Sequence, residues 1–192
     1  PVGGFLRRNL ETVLDGFVDV ANYYLDTPTP EGPSGDVVMV MTREKAVQIR
    51  QAVADPKRIV IVNRTIPRNL IYRILSIPLG TRVLVVNDST ETTLDFISLL
   101  YRLGVDHLDL VPFDPRIDYP DVSIAITPGE LIFVPAHIEN VIDTGNRSID
   151  ISTFIQVLDM VNVSDPEVHR RLLRYSANLV PLESGVDNQY RQ

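Results

Sequence analysis

Four short stretches of the chain share one pattern, in which an apolar, strand-like run stops at small hydroxyl, amide or acidic residues and then passes into a helix-like run. They are IVIVN ending at Asn63-Arg64-Thr65, VLVVN ending at Asn87-Asp88-Ser89-Thr90, SIAIT ending at Thr127-Pro128-Gly129-Glu130, and SIDIS ending at Ser152-Thr153. Strands that alternate with helices predict an α/β fold with a parallel sheet and helices on both faces, because parallel neighbours need a crossover connection between them. Right-handed crossovers return such joints to one edge of the sheet, the carboxyl edge where open α/β domains bind ligands. The pattern therefore names a place for a site before it names a function.

Hydrophobic spacing divides the chain into three regions. Residues 1–35 read as an N-terminal helix over Phe5–Leu25, with Leu6, Leu10, Val13, Leu14 and Phe17 at three- and four-residue steps, and then a Pro/Gly-rich linker from Asp26 to Gly35. Residues 36–163 read as the α/β body, with strands at 37–41, 58–62, 82–86, 107–111, 122–126, 131–134 and 148–151. Helices are expected at 43–53, from about Pro67, after Asp88 or Ser89 as cap, at 137–143, and from Ser152 or Thr153 to Val161. Residues 164–192 read as a connector helix over Asp165–Val180 and a tail. Strand order stays open at this level, including whether residues 37–62 join the same sheet as 82–151 or form a separate lobe.

Composition narrows the function classes. At 192 residues and 44% hydrophobic the chain can bury a substantial core, and no run approaches the roughly 20 apolar residues that cross a bilayer. It reads as cytoplasmic, with no membrane partner. A net charge of -7 works against direct nucleic-acid binding, which draws its affinity from Lys and Arg releasing phosphate counterions. With no cysteine, disulfides, thiolate metal sites and cysteine nucleophiles are excluded.

The strand ends supply the candidate binding residues Asn63, Arg64, Asn87, Asp88, Ser89, Thr90, Thr127, Gly129, Glu130, Ser152 and Thr153. Helix N-termini offer unpaired N–H groups and partial positive charge to an anion, and neutral hydroxyls and amides complete such a site. Each of these residues is equally a good helix cap or turn residue, so only their convergence would make a site. Glycine at 129, after proline, suits a tight turn that lets backbone approach a ligand. No catalytic residue, cofactor or metal is assigned. The glycines and lysines do not form a phosphate loop, G-x-S-x-G is absent, and His107, His137 and His169 lie in separate elements. A phosphorylatable receiver would need an acidic pair near Asp88, an aspartate where Thr127 stands and a lysine where Ser152-Thr153 stand, which argues against phospho-acceptor function.

The segments Arg82–Ser89 through Leu99-Leu100-Tyr101, Gly104–Leu108, Asp121–Glu130, Val134-Pro135 and Ser148–Thr153 resemble the N-terminal regulatory segments of bacterial multidomain transcription regulators, with a looser similarity to the two-lobed sensory domain of propionate-catabolism regulators. The resemblance implies a flavodoxin-like or receiver-like body and a small-molecule effector. It also implies a homodimer, followed in the full-length chain by PAS, NtrC-type ATPase and DNA-binding domains. The expected function is ligand sensing, with a small anionic metabolite bound at the carboxyl edge and the flanking helices as relay. The alternatives are a transferase or lyase using Glu130 or Asp88, and a dimerisation module built on the Leu6–Tyr24 and Leu172–Leu179 faces.

Overall fold

The computed structural model describes residues 2–23 and 35–182. Most of the expected linker and the tail from 183 lie outside the described residues. In chain order the elements are α1 (Val2–Leu14), β1 (Val38–Val40), α2 (Arg43–Ile49), β2 (Ile59–Ile61), β3 (Arg64–Thr65), α3 (Arg68–Leu75), β4 (Arg82–Val85), α4 (Thr90–Arg102), β5 (Asp109–Pro112), β6 (Ile124–Thr127), β7 (Asn140–Asp143), β8 (Ser148–Ile149), α5 (Ile151–Met160) and α6 (Pro166–Ser176). They form two compact units, one made of the chain up to Arg64 with Ser148–Pro181, the other of Thr65–Arg147 with Leu182. Residues 36–163, read as the α/β body with a separate lobe at 37–62 left open, are divided between the two units.

The first unit pairs β1 and β2 in parallel, Val38 with Ile59 and Val40 with Ile61. Its core gathers Val60 and Val62 with Leu10, Val13 and Leu14 of α1, Phe154 and Val157 of α5, and Val168 and Leu172 of α6. Both terminal helices, expected as attachments to the body, are thus part of this core, and burying their apolar faces is what holds them. Helix α1 ends at Leu14 rather than near Leu25. Gly16 adopts φ +83, and the N–H groups of Phe17 and Val18 donate to Leu14 O, so the chain turns out of the helix there. Asn9 and Tyr175 tie α1, β8 and α6 together: the Tyr175 hydroxyl lies 2.7 Å from Asn9 Oδ1 and 2.9 Å from Ile149 O.

The second unit holds a four-stranded sheet in the order β5-β4-β6-β7, parallel throughout. Val83, Leu84, Val85 and Val86 are all fully buried, which is the reading of a central strand covered on both faces. Successive side chains alternate between those faces. Leu84 and Val86 pack with Val122, Ala125 and Ile138 beneath Val111, Phe113, Tyr119 and Val134, and none of these residues is helical, so loops cover this face where helices were expected on both. Helix α4 follows β4 as expected. Ser89 caps it, its hydroxyl accepting from Thr92 N–H, and Gly104 at φ +85 ends it.

Two segments of this unit depart from expectation. Residues 137–143, expected to be helical, instead hold β7, in register with β6 from Ile124–Asn140 to Thr127–Asp143. Ile138 and Ile142 are both buried, so their four-residue spacing suits either structure, and the open edge of β6 decides for the strand. Residues 131–134, expected as a strand, form a single 3-10 turn over Leu131–Phe133. In the first unit α5 begins at Ile151, one or two residues before the expected start. Its cap is Asp150, whose carboxylate accepts from Ser152 N–H and hydroxyl.

Candidate functional site

Sheet order locates the site. From β4 the chain moves outward to β5, then returns past β4 to β6 and continues to β7 on the other side. The direction of winding reverses between β4 and β6, and the loops leaving their carboxyl ends diverge there, which is where doubly wound sheets form a crevice. A cleft of about 510 Å³ opens at this edge. It is lined by the loop after β4 (Asn87–Thr90), the loop after β5 (Phe113–Arg116) and the turn after β6 (Ile132 and Phe133). Its volume falls in the range of small-molecule sites, roughly 300–1,000 Å³.

The polar groups of the cleft form two hydrogen-bonded sets, one around Asp114 and one around the start of α4. Asp114, only 7% exposed, receives Arg116 Nη2 at 2.7 Å, Arg116 Nε at 2.9 Å and Arg116 N–H at 3.0 Å, and the Thr90 hydroxyl donates to it at 3.0 Å. The Arg116 side-chain bonds, then its backbone N–H, hold the Asp114 carboxyl far below the usual carboxylate range, outweighing the desolvation that opposes ionisation. The same pairing raises the guanidinium further. The ion pair has an asymmetric setting, with its carboxylate buried and its Arg116 side chain 79% exposed. Asn87 bridges its own turn, donating from Nδ2 to Thr92 O and accepting Asp88 N–H on Oδ1. Asp88 accepts the Thr92 hydroxyl. The cap of α4 consumes the N–H groups of Thr92 and Thr93, which leaves those of Thr90 and Glu91 as the first-turn donors that the cap does not use.

The eleven residues expected at one edge fall into three groups. Asn87, Asp88, Ser89 and Thr90 line the cleft. Thr127, Gly129 and Glu130 stand at the end of neighbouring β6, but as a built turn. Thr127 is wholly buried and its hydroxyl accepts Glu130 N–H, while Asp143 Oδ1 accepts the N–H groups of Gly129 and Gly145 at 2.8 Å each. Glycine is favoured at 129 by φ +94. Asn63, Ser152 and Thr153 belong to the first unit, where they meet one another: Asn63 N–H donates to Thr153 Oγ1 at 2.9 Å and Asn63 Nδ2 to Ser152 Oγ at 3.2 Å. Arg64 lies half-buried in β3. The expectation that all four joints share one sheet edge is therefore corrected, because only β4 and β6 belong to the same sheet.

Asp114 and Arg116 were not among the expected residues. They stand in the Pro112–Pro120 stretch, whose prolines mark only a loop, although Asp114-Pro115-Arg116 lies directly after the carboxyl end of a strand. Among the described residues no group of three or more His, Asp or Glu could hold a metal ion. No protein-family model, no curated protein and no solved structure matches the chain. What fold and site define is a class: an α/β protein whose parallel sheet carries a cleft at its carboxyl edge.

Proposed function

We propose that the chain is a ligand-sensing regulatory domain, of the kind found in bacterial transcription regulators, that binds a small anionic metabolite in the cleft at the end of β4. The observation that carries this reading is the coincidence of the winding reversal with a cleft to which three carboxyl-edge loops contribute. The exposed Arg116 guanidinium and the first turn of α4 supply positive potential there, and the hydroxyls of Ser89 and Thr90 supply neutral contacts. Arg116 offsets the charge of Asp114, which leaves Asp88 as the carboxylate of the cleft without an ion-pair partner among the described residues. The strand order matches the first four strands of a flavodoxin-like sheet, which supports that finer fold reading.

In this mechanism the ligand draws the Asn87–Thr90 and Asp114–Arg116 loops together, and its difference in affinity between the open and closed loops is what shifts the equilibrium. PAS, ATPase and DNA-binding domains of a full-length regulator would read that shift in the cytoplasm. Among the described residues no helix is long and apolar enough to cross a membrane. The dimerisation alternative loses its main support, since Leu10, Val13, Leu14, Val168 and Leu172 are used inside the core of the first unit.

A thermal-shift screen of the chain against small organic acids and phosphorylated metabolites tests the proposal. A specific ligand at 100 times its Kd stabilises the folded state by about 2.7 kcal/mol. The expected result is a saturable stabiliser that loses its effect on Arg116→Ala and Thr90→Val but keeps it on Arg82→Ala, a change outside the cleft. Absence of any stabiliser, or equal stabilisation of the Arg116→Ala variant, would overturn the reading.

A further inference from the structure

A second cleft, of about 670 Å³, lies beside the first and shares Phe113, Pro115 and Phe133 with it. Its lining differs in its rings and in its lack of a cation. No arginine or lysine lines it; its walls are Phe113, Tyr119, Phe133 and His137 with three prolines and Ile117, and its only carboxylates are Asp118 and Asp121. Tyr119 is fixed between two rings, edge-on to Phe113 at 5.6 Å and 75°, and parallel to His137 at 6.2 Å and 9°. Asp118 and Asp121 are exposed, and neither makes an ion pair with another described residue.

The fold explains why this cleft exists. The connections from β5 to β6 and from β6 to β7 contain no α-helix, so this sheet face is covered by loop residues, among them Phe113 and Tyr119. Loops packed by ring and proline contacts leave a channel between them that a helix would fill. Aromatic rings carry negative potential on their faces and attract cations, most strongly weakly hydrated ones whose removal from water costs little. Two uncompensated carboxylates at an aromatic wall add charge of the same sign. An inorganic cation would need converging oxygen ligands, which this cleft does not assemble.

We propose that the groove formed by Phe113, Tyr119, Phe133 and His137, with Asp118 and Asp121, is a binding site for a small organic cation bearing a quaternary or alkylated ammonium group. The site adjoins the anion cleft and shares Phe113 and Phe133 with it, but none of its carboxylates. The ammonium group sits against the rings, and the carboxylates select it over uncharged molecules of the same shape.

Calorimetric titration of the whole chain with choline, tetramethylammonium and the uncharged carbon isostere of choline tests this directly. The expected result is saturable binding of the two cations, with choline about tenfold tighter than its isostere, the size of one strong ring contact. Asp118→Asn with Asp121→Asn replaces exposed side chains only, so the variant keeps its fold, and cation affinity falls several-fold while the isostere is unaffected. Tyr119→Leu, with its fold checked by circular dichroism, removes the preference for the cation. Equal binding of choline and its isostere, no saturable binding of either cation, or an unchanged affinity in the double asparagine variant would overturn the proposal.

Discussion

Replacing Tyr175 by phenylalanine isolates a single hydroxyl at the joint that makes α6 part of the first unit. The ring contact with Phe154, edge-on at 5.1 Å, is kept by phenylalanine, so packing changes little. The loss falls on the contacts of the hydroxyl with Asn9 Oδ1, with the carbonyl of Ile149, a fully buried residue, and with the Ser148 side chain. Asn9 Oδ1 keeps the Ile149 N–H at 3.3 Å, and Asn9 Nδ2 keeps Phe5 O at 2.9 Å, so the Ile149 carbonyl carries most of the damage. A net hydrogen bond contributes about 0.5–1.5 kcal/mol, and an unsatisfied buried acceptor costs about 1–3 kcal/mol. We expect Tyr175→Phe to destabilise the first unit by about 1–2 kcal/mol. Burial, above all, pushes the phenol pKa up, which agrees with a protonated donor held between two oxygens. Urea unfolding followed by circular dichroism gives the total, and hydrogen exchange of α6 amides assigns it to this joint. A double-mutant cycle with Asn9→Ala should return a coupling above about 0.5 kcal/mol. A cost below about 0.3 kcal/mol, or strict additivity in the cycle, would refute the assignment of Tyr175 as the tie between α1, β8 and α6.

Three other outcomes are expected. Because the Asp114 pKa is depressed in the fold from its ordinary 3.8, its ion pair stabilises the protein above that pH and the benefit is lost as pH falls through the lower folded value. Arg116→Gln should raise the Asp114 pKa in an NMR titration and flatten the loss of stability below about pH 4. Ser89→Ala removes the cap of α4 and should cost about 1 kcal/mol in denaturant unfolding, whereas the neighbouring exposed change Glu91→Gln should cost much less. Gly129→Ala forces a side chain into φ +94 but meets only ordinary contacts, the nearest at 3.5 Å, so its cost should be strain of about 1 kcal/mol, read as a lowered denaturant midpoint.

The α/β class, the strand runs at 59–61, 82–85 and 124–127, and helix α4 with its Ser89 cap follow from signals that act over a few residues. Apolar runs, capping hydroxyls and glycine stops are local chemistry, so they are legible in the chain itself. Strand order is not local, and neither is the division into two units. IVIVN and VLVVN look alike as sequence, yet one lies in a two-stranded sheet with β1 and the other at the centre of four strands. Residues 140–143 became a strand because β6 offered an open parallel edge, a partner that adjacent residues do not encode. Asn87–Thr90, which line the cleft, were visible as candidates because helix capping and ligand binding ask for the same side chains at a strand end. Asp114 and Arg116 were hidden because their place in the cleft depends on where β5 lies beside β4, and the burial of Thr127 was not legible because it depends on packing within the sheet. Backbone propensity and capping were determined by the sequence alone; pairing, burial and the cleft were decided by tertiary structure, since each depends on contacts between residues far apart in the chain.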